Sequence, residues 1–178
     1  ELLTKVDVVV ENFGPGALGR LGFPWEKIHA INPRVILGSV KGFGSTGPYA
    51  GFKAFEAIAQ AMGGSMSTTG SAEGEPTLTG AQIGDSGSGL HLFGGILAAL
   101  LQRERTGRGQ VVEVSMMDSV LNFCRLNIMK HQQAVRAAKA NPDVEPYFVR
   151  PGNVSYGGSN TGVAVKCKPG GPNDYVYL

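Results

Sequence analysis

Asp85 stands in the string Gly84-Asp85-Ser86-Gly87-Ser88-Gly89. An exposed carboxylate in a glycine-walled site can attack a thioester carbonyl and form a mixed anhydride. The released thiolate can return to give an enzyme thioester, which an acceptor acid then takes over; covalent steps of this kind split one hard exchange into easier ones. A helix starting at the same point would favour the ionised carboxylate through its free amide groups. Glycine amides could hold the oxyanion that forms on the carbonyl, and an anhydride requires that water be kept out. The plain alternative is a helix cap, a preferred position for aspartate that contributes typically about 1 kcal/mol. On spacing alone, capping is the commoner role. A Gly-Asp-Ser-Gly string also surrounds the nucleophile of serine proteases. That reading fails on chain order, because the only aspartate between His29 and Ser86 is Asp85 itself.

Several elements must position this segment. Residues 6–10 form a short β-branched apolar run, the mark of a buried strand. The loop Asn12-Phe13-Gly14-Pro15-Gly16 follows. Pro24 can open a helix through Trp25, Ile28 and Ile31 that Asn32-Pro33 closes. Residues 35–40 read as a second buried strand, so strand, helix and strand suggest a βαβ unit and a parallel sheet. Residues 54–62 have helical character, and residues 63–80 read as irregular. A long helix runs from the Asp85 segment to about Arg105, with Leu90, Phe93, Leu97, Leu100 and Leu101 at helical spacing. Gly94 and Gly95 inside it each disfavour helix by about 1 kcal/mol, which suggests close packing on another backbone. Gly107 supplies its C-cap. Residues 111–115 form a strand, and a helix from about Asp118 to Arg136 follows, with Asp118 as its cap. Residues 163–168 and 175–178 read as further strands. The order is α/β.

The composition is that of a globular chain: 178 residues, 42% hydrophobic, 17% charged, formal net charge +2. So small a charge gives no reason to expect a nucleic-acid partner. The 27 glycines exceed the usual ~7% share and cluster between elements. Cys124 and Cys167 have no metal-ligand spacing, so no metal is expected and a reducing, cytoplasmic setting is. The longest apolar run, residues 92–101, is half the ~20 residues of a membrane span, so no membrane partner is expected. His29, His91 and His131 lack a catalytic partner at suitable spacing and read as structural. Arg103, Arg105 and Arg108 read as a basic cluster favoured at a helix end. The sequence starts without Met and stops within a strand-like run, as an internal fragment would.

Several stretches resemble family III coenzyme A transferases of the CaiB/BaiF type. They are Val10-Glu11-Asn12-Phe13-Gly14-Pro15-Gly16-Ala17-Leu18, Leu21-Gly22-Phe23, Ile31-Asn32-Pro33-Arg34, Gly84-Asp85-Ser86, Gly95-Ile96-Leu97-Ala98-Ala99-Leu100, Thr106-Gly107-Arg108-Gly109-Gln110 and Lys166-Cys167-Lys168. They run in collinear order through nearly the whole chain, most closely like the formyl-transferring members. The resemblance implies a Rossmann-like parallel sheet with flanking helices, part of an interlocked homodimer. It implies that residues 1–136 belong to the large coenzyme-binding domain, and 137–178 to a glycine-loop linker and the start of a smaller second domain. Asp85 falls on the family's nucleophile. Asn12, Phe13, Gly14, Arg20, Phe52, Lys53, Ala54 and Phe55 fall on coenzyme-binding positions, with Phe55 where close relatives carry tyrosine. Glu56 falls on a glutamate near the active site, and Gly157, Gly158, Ser159 and Asn160 on a glycine lid.

The implied activity is transfer of coenzyme A from formyl-CoA to oxalate through an aspartyl anhydride and an aspartyl thioester. No permanent cofactor is implied, only the coenzyme A thioester as substrate. The lid departs from the family's run of four glycines, with Tyr156 before it and Ser159 ending it. Side chains there restrict the backbone, which keeps an acetyl-CoA or succinyl-CoA donor, or another acceptor, in view. An α-methylacyl-CoA racemase and a non-catalytic acyl-CoA binder are further alternatives. From a different class, a nucleotide-binding dehydrogenase domain is another alternative. The segments that open and close these enzymes are missing, so the isolated 178 residues are expected to show little or no activity.

Overall fold

A computed structural model describes residues 1–141, 143, 150–152 and 162–178. Three strands, β1 (Val8–Glu11), β2 (Ile36–Lys41) and β3 (Val111–Ser115), form a parallel sheet in that order. Val8 pairs with Ile36 and Glu11 with Ser39, while Leu37 pairs with Val111 and Lys41 with Ser115. The parallel sheet matches the expected α/β class. β2 is central, and its first four residues are all buried. That burial on both faces explains its continuous apolar run.

Short helices α1 (Ala17–Arg20) and α2 (Trp25–Ile31) connect β1 to β2. α2 lies where its flanking prolines place it: Pro24 has φ −63° just before the first turn, and the Asn32 amide closes on the Ile28 carbonyl. Ile28, Val35 and Leu37 are the buried centre of this corner, with Leu3, Val6, Val9, Leu18 and Trp25 packed around them. Val6, expected in the first strand, packs there ahead of β1.

Helices α3 (Glu56–Met62) and α4 (Ser65–Thr68) precede the long helix α5 (Asp85–Thr106). α5 lies against β2 and β3. Two glycines permit the approach. A Cβ on Gly38 would come within 2.9 Å of Ile96 Cδ1, and one on Gly95 within 2.7 Å of Val112 Cγ1. Gly94 differs from expectation, for among the described residues nothing beyond its own stretch of helix lies within 4 Å of its Cβ position. α5 ends at Gly107, whose φ of 71° is one that glycine adopts without strain. Two residues on, Gly109 donates to the Pro33 carbonyl at 2.8 Å. Its Cβ position is 1.8 Å from the Val35 carbonyl oxygen, so backbone fills the space a side chain would need.

Of the three arginines read as a basic cluster at this helix end, Arg103 is buried. Its guanidinium pairs with Asp7 at 3.0 Å and donates to the Arg34 carbonyl at 3.2 Å. It ties the end of α5 to the residues that lead into β1 and β2. The single helix expected from about Asp118 is two, α6 (Met116–Phe123) and α7 (Arg125–Ala140). Cys124 breaks them with ψ 3°, and its carbonyl starts the second ladder by accepting from Asn127 and Ile128. The Arg125 guanidinium satisfies the Asn122 carbonyl. Asp118 does not cap α6, since the Ser115 hydroxyl at the end of β3 accepts from the Asp118 amide at 3.3 Å.

The chain divides into two compact units. One comprises residues 1–63 and 80–121, the other residues 64–79 and 122–178. The second unit contains α4, α7 and an antiparallel pair, β4 (Ala164–Lys166) and β5 (Tyr175–Tyr177). Among the described residues no helix is long and apolar enough to cross a membrane.

Candidate active site

A cleft of about 820 Å³ in the first unit opens at the C-terminal ends of β1 and β2. Ligands of open parallel sheets bind at that end of the strands. Three sequence-distant segments line it: the loop from Val10 to Pro15, the stretch 52–55, and α5 through Asp85, Gly89 and Leu92. The expected positions Asn12, Phe13, Gly14, Phe52, Lys53, Ala54, Phe55 and Asp85 all meet here. Arg20 is not among the lining residues; it is exposed, and its guanidinium donates to the Pro15 carbonyl at 3.2 Å. Gly157, Gly158, Ser159 and Asn160 lie outside the described residues.

The 52–55 stretch reaches the cleft because β2 is followed by Gly42. A Cβ there would meet Ala54 Cβ at 2.5 Å and the Ala54 amide nitrogen at 3.0 Å. Lys53 lies over Gly14, with Lys53 Cε 3.4 Å from the Gly14 Cβ position. Phe43, Tyr49 and Phe52 form an aromatic series, the first pair tilted and the second edge-on, with ring centroids 5.4 and 5.7 Å apart.

Asp85 is the first residue of α5, and its side chain makes no capping bond. The expected aspartate cap is replaced by a glutamate from another helix. Glu56, at the start of α3, accepts the Gly84 amide on Oε1 at 3.0 Å and the Asp85 amide on Oε2 at 2.6 Å. Gln60, one turn further along α3 and almost fully buried, donates to Glu56 Oε1 at 2.7 Å. Burial works against the Glu56 anion, but the bonds from Gln60, Gly84 and Asp85 together outweigh it. They hold the carboxyl below its ordinary range. The Asp85 carboxylate is thereby left exposed at the cleft, on a helix end fixed by a neighbour.

This arrangement removes the Gly84 amide from the expected oxyanion donors. The amides of Gly84 and Asp85 are occupied by Glu56, that of Ser86 by the Gln82 carbonyl, and that of Ser88 by the Gly84 carbonyl. His91 Nδ1 lies 2.7 Å from the Gly87 carbonyl and 2.9 Å from the Ser119 hydroxyl, which gives it structural partners.

Spacing did not single out a polar cluster at the floor of the cleft. Glu11, at the end of β1, is buried. Lys41 Nζ, at the end of β2, donates to Glu11 Oε1 at 2.7 Å and Oε2 at 2.8 Å. The Ser39 hydroxyl also donates to Glu11 Oε1. The available signal was two charges ending two apolar strands. Among the described residues no cluster suits a metal ion.

Comparison with known proteins agrees with this architecture. The sequence profile of CoA-transferase family III matches residues 1–162, and the chain belongs to that family. It is 58% identical over its full length to a formyl-CoA:oxalate CoA-transferase of Streptomyces avermitilis, and spans 44% of that relative. It is 50% identical to the enzyme of the same name from Bradyrhizobium sp., again spanning 44% of it. Among solved structures, a CaiB/BaiF family protein of Brucella suis superposes with a TM-score of 0.72 at 30% identity. The match covers 95% of this chain and 42% of that one.

Proposed function

We propose that the longer protein to which these residues correspond moves coenzyme A from formyl-CoA to oxalate, with Asp85 as nucleophile. The supporting observation is the exposed Asp85 carboxylate at the mouth of a cleft whose other walls are the expected coenzyme loop and the 52–55 stretch. An Asp85 oxygen attacks the formyl carbon, the C–S bond breaks, and coenzyme A leaves as thiolate. The thiolate attacks the Asp85 carboxyl carbon of the anhydride, formate leaves, and an aspartyl thioester remains. Oxalate displaces the thiolate to give a second anhydride. Attack of the thiolate on the oxalyl carbon then releases oxalyl-CoA and restores the carboxylate. Glu56 serves this sequence by holding the helix end that carries Asp85, with both its oxygens on backbone amides. Asn12, Phe13, Gly14, Lys53 and the phenylalanines of the 52–55 stretch are assigned to the coenzyme.

The homodimer, the cytoplasmic setting and the division near residue 136 belong to the same proposal. A panel of donors and acceptor acids tests the pair of substrates. For the mechanism, the full-length protein is incubated with formyl-CoA, quenched with hydroxylamine and mapped by mass spectrometry. Hydroxamate at Asp85 is the expected result. An active enzyme whose Asp85 stays unmodified would overturn the mechanism.

A further inference from the structure

Glu11 and Lys41 are the one buried ion pair that touches the cleft among the described residues. Their hydrogen bonds do more than join two strands. The Phe13 amide donates to Glu11 Oε2 at 2.9 Å, while the Phe13 carbonyl accepts from Lys41 Nζ at 2.8 Å. One residue of the cleft-lining loop therefore has both backbone polar groups held by the same pair. The network is also closed. Lys41 has three protons, and they meet Glu11 Oε1, Glu11 Oε2 and the Phe13 carbonyl. The carboxylate accepts from Lys41, the Ser39 hydroxyl and the Phe13 amide. Nothing remains on Lys41 for a ligand anion. The Lys41 charge is used internally, although the residue lines the pocket.

We propose that Glu11, Lys41 and Ser39 are positioning residues for coenzyme binding, acting by fixing Phe13 and its neighbours Asn12 and Gly14 against the cleft. The proposal rests on the coenzyme A reading of that cleft. A carboxylate and an ammonium without each other in a buried site are each strongly unfavourable, so either single neutral variant should release the loop. A displacement of a contact by about 1 Å can cost on the order of a hundredfold in rate or affinity. A pair serving only general folding would move every kinetic constant together; a pair that positions the coenzyme loop should act on the coenzyme step alone.

The test uses the full-length protein with Glu11→Gln, Lys41→Met, the double variant and Ser39→Ala. The kinetic constants for the acyl-CoA donor and the acid acceptor are measured separately. Hydrogen exchange at the Phe13 amide is followed in each protein. The expected result is a KM for the CoA thioester raised at least about tenfold in each single charge variant, with the acceptor KM unchanged. The double variant should be less impaired than the two single effects combined, because it leaves no unpaired charge. Ser39→Ala, which keeps the ion pair, should shift the same constant by a smaller factor; Lys41→Arg should retain near-normal binding. These two remain informative if the charge variants do not fold. An unchanged thioester KM, or equal losses in kcat and both KM values, overturns the proposal. If the wild-type protein shows no turnover of any CoA thioester, the functional reading fails instead. Phe13 exchange then decides the clamp by itself: protection lost in the variants sustains it, and protection retained overturns it.

Discussion

At the scale of single residues, the carboxylates of Asp85 and Glu56 are divided by environment. Asp85 is exposed and makes no capping bond, whereas Glu56 has both oxygens on the amides of Gly84 and Asp85. The Glu56 carboxyl is held below its ordinary value of 4.5 in the folded protein. A group of this kind adds stability above its unfolded value and loses it as pH falls through the folded one. Glu56→Gln should therefore be less stable than the wild type at neutral pH, by about 1 kcal/mol as for a lost cap. The difference should shrink toward zero as acid unfolding is followed downward from pH 4.5. A constant difference across that range would count against the carboxylate cap. Asp85 could be placed from collinear motifs, but the cap on its helix could not. Glu56 lies 28 residues before Gly84, and no local pattern pairs them. The same holds for Lys41, which finds Glu11 across 30 residues.

At the scale of elements, local chemistry marked what local chemistry decides. Pro24 and Asn32-Pro33 bounded α2, and Gly107 ended α5. The break at Cys124 carries no glycine or proline, so helical periodicity ran straight through it. Adjacent glycines in α5 also look alike in sequence and differ in packing. Gly95 lies against Val112, while Gly94 faces open space in this chain. Gly94→Ala in the 178-residue chain should raise stability by about 0.5–1 kcal/mol in urea unfolding, through helix propensity and a less free unfolded state. Gly95→Val should lower it by about 2 kcal/mol, since the branched side chain must displace the Val112 methyl group. Equal responses at the two positions would contradict the observed packing of α5 on the sheet.

At the scale of the whole molecule, the chain spans less than half the length of the curated relatives it matches. Purified alone, the 178 residues should show turnover below detection in a formyl-CoA and oxalate assay, the reaction proposed for the longer protein. Measurable turnover by the isolated chain would show that the site is complete within it. Leu90, Phe93, Leu97 and Leu101 form an exposed apolar stripe along α5, each about half exposed or more. Apolar area of that extent is uncommon on a free surface.

The closed bonding of Lys41 also bears on ionic strength. The cleft is lined by two cations, Lys41 and Lys53, and Lys41 is already neutralised by Glu11. Lys53 has no ion pair among the described residues. Added salt screens an exposed charge far more than a buried pair. The salt dependence that these residues give to binding a polyanionic coenzyme should therefore come from Lys53. Lys53→Met should flatten the dependence of the dissociation constant on salt. Lys41→Met should weaken binding by a factor that stays the same from low salt to high.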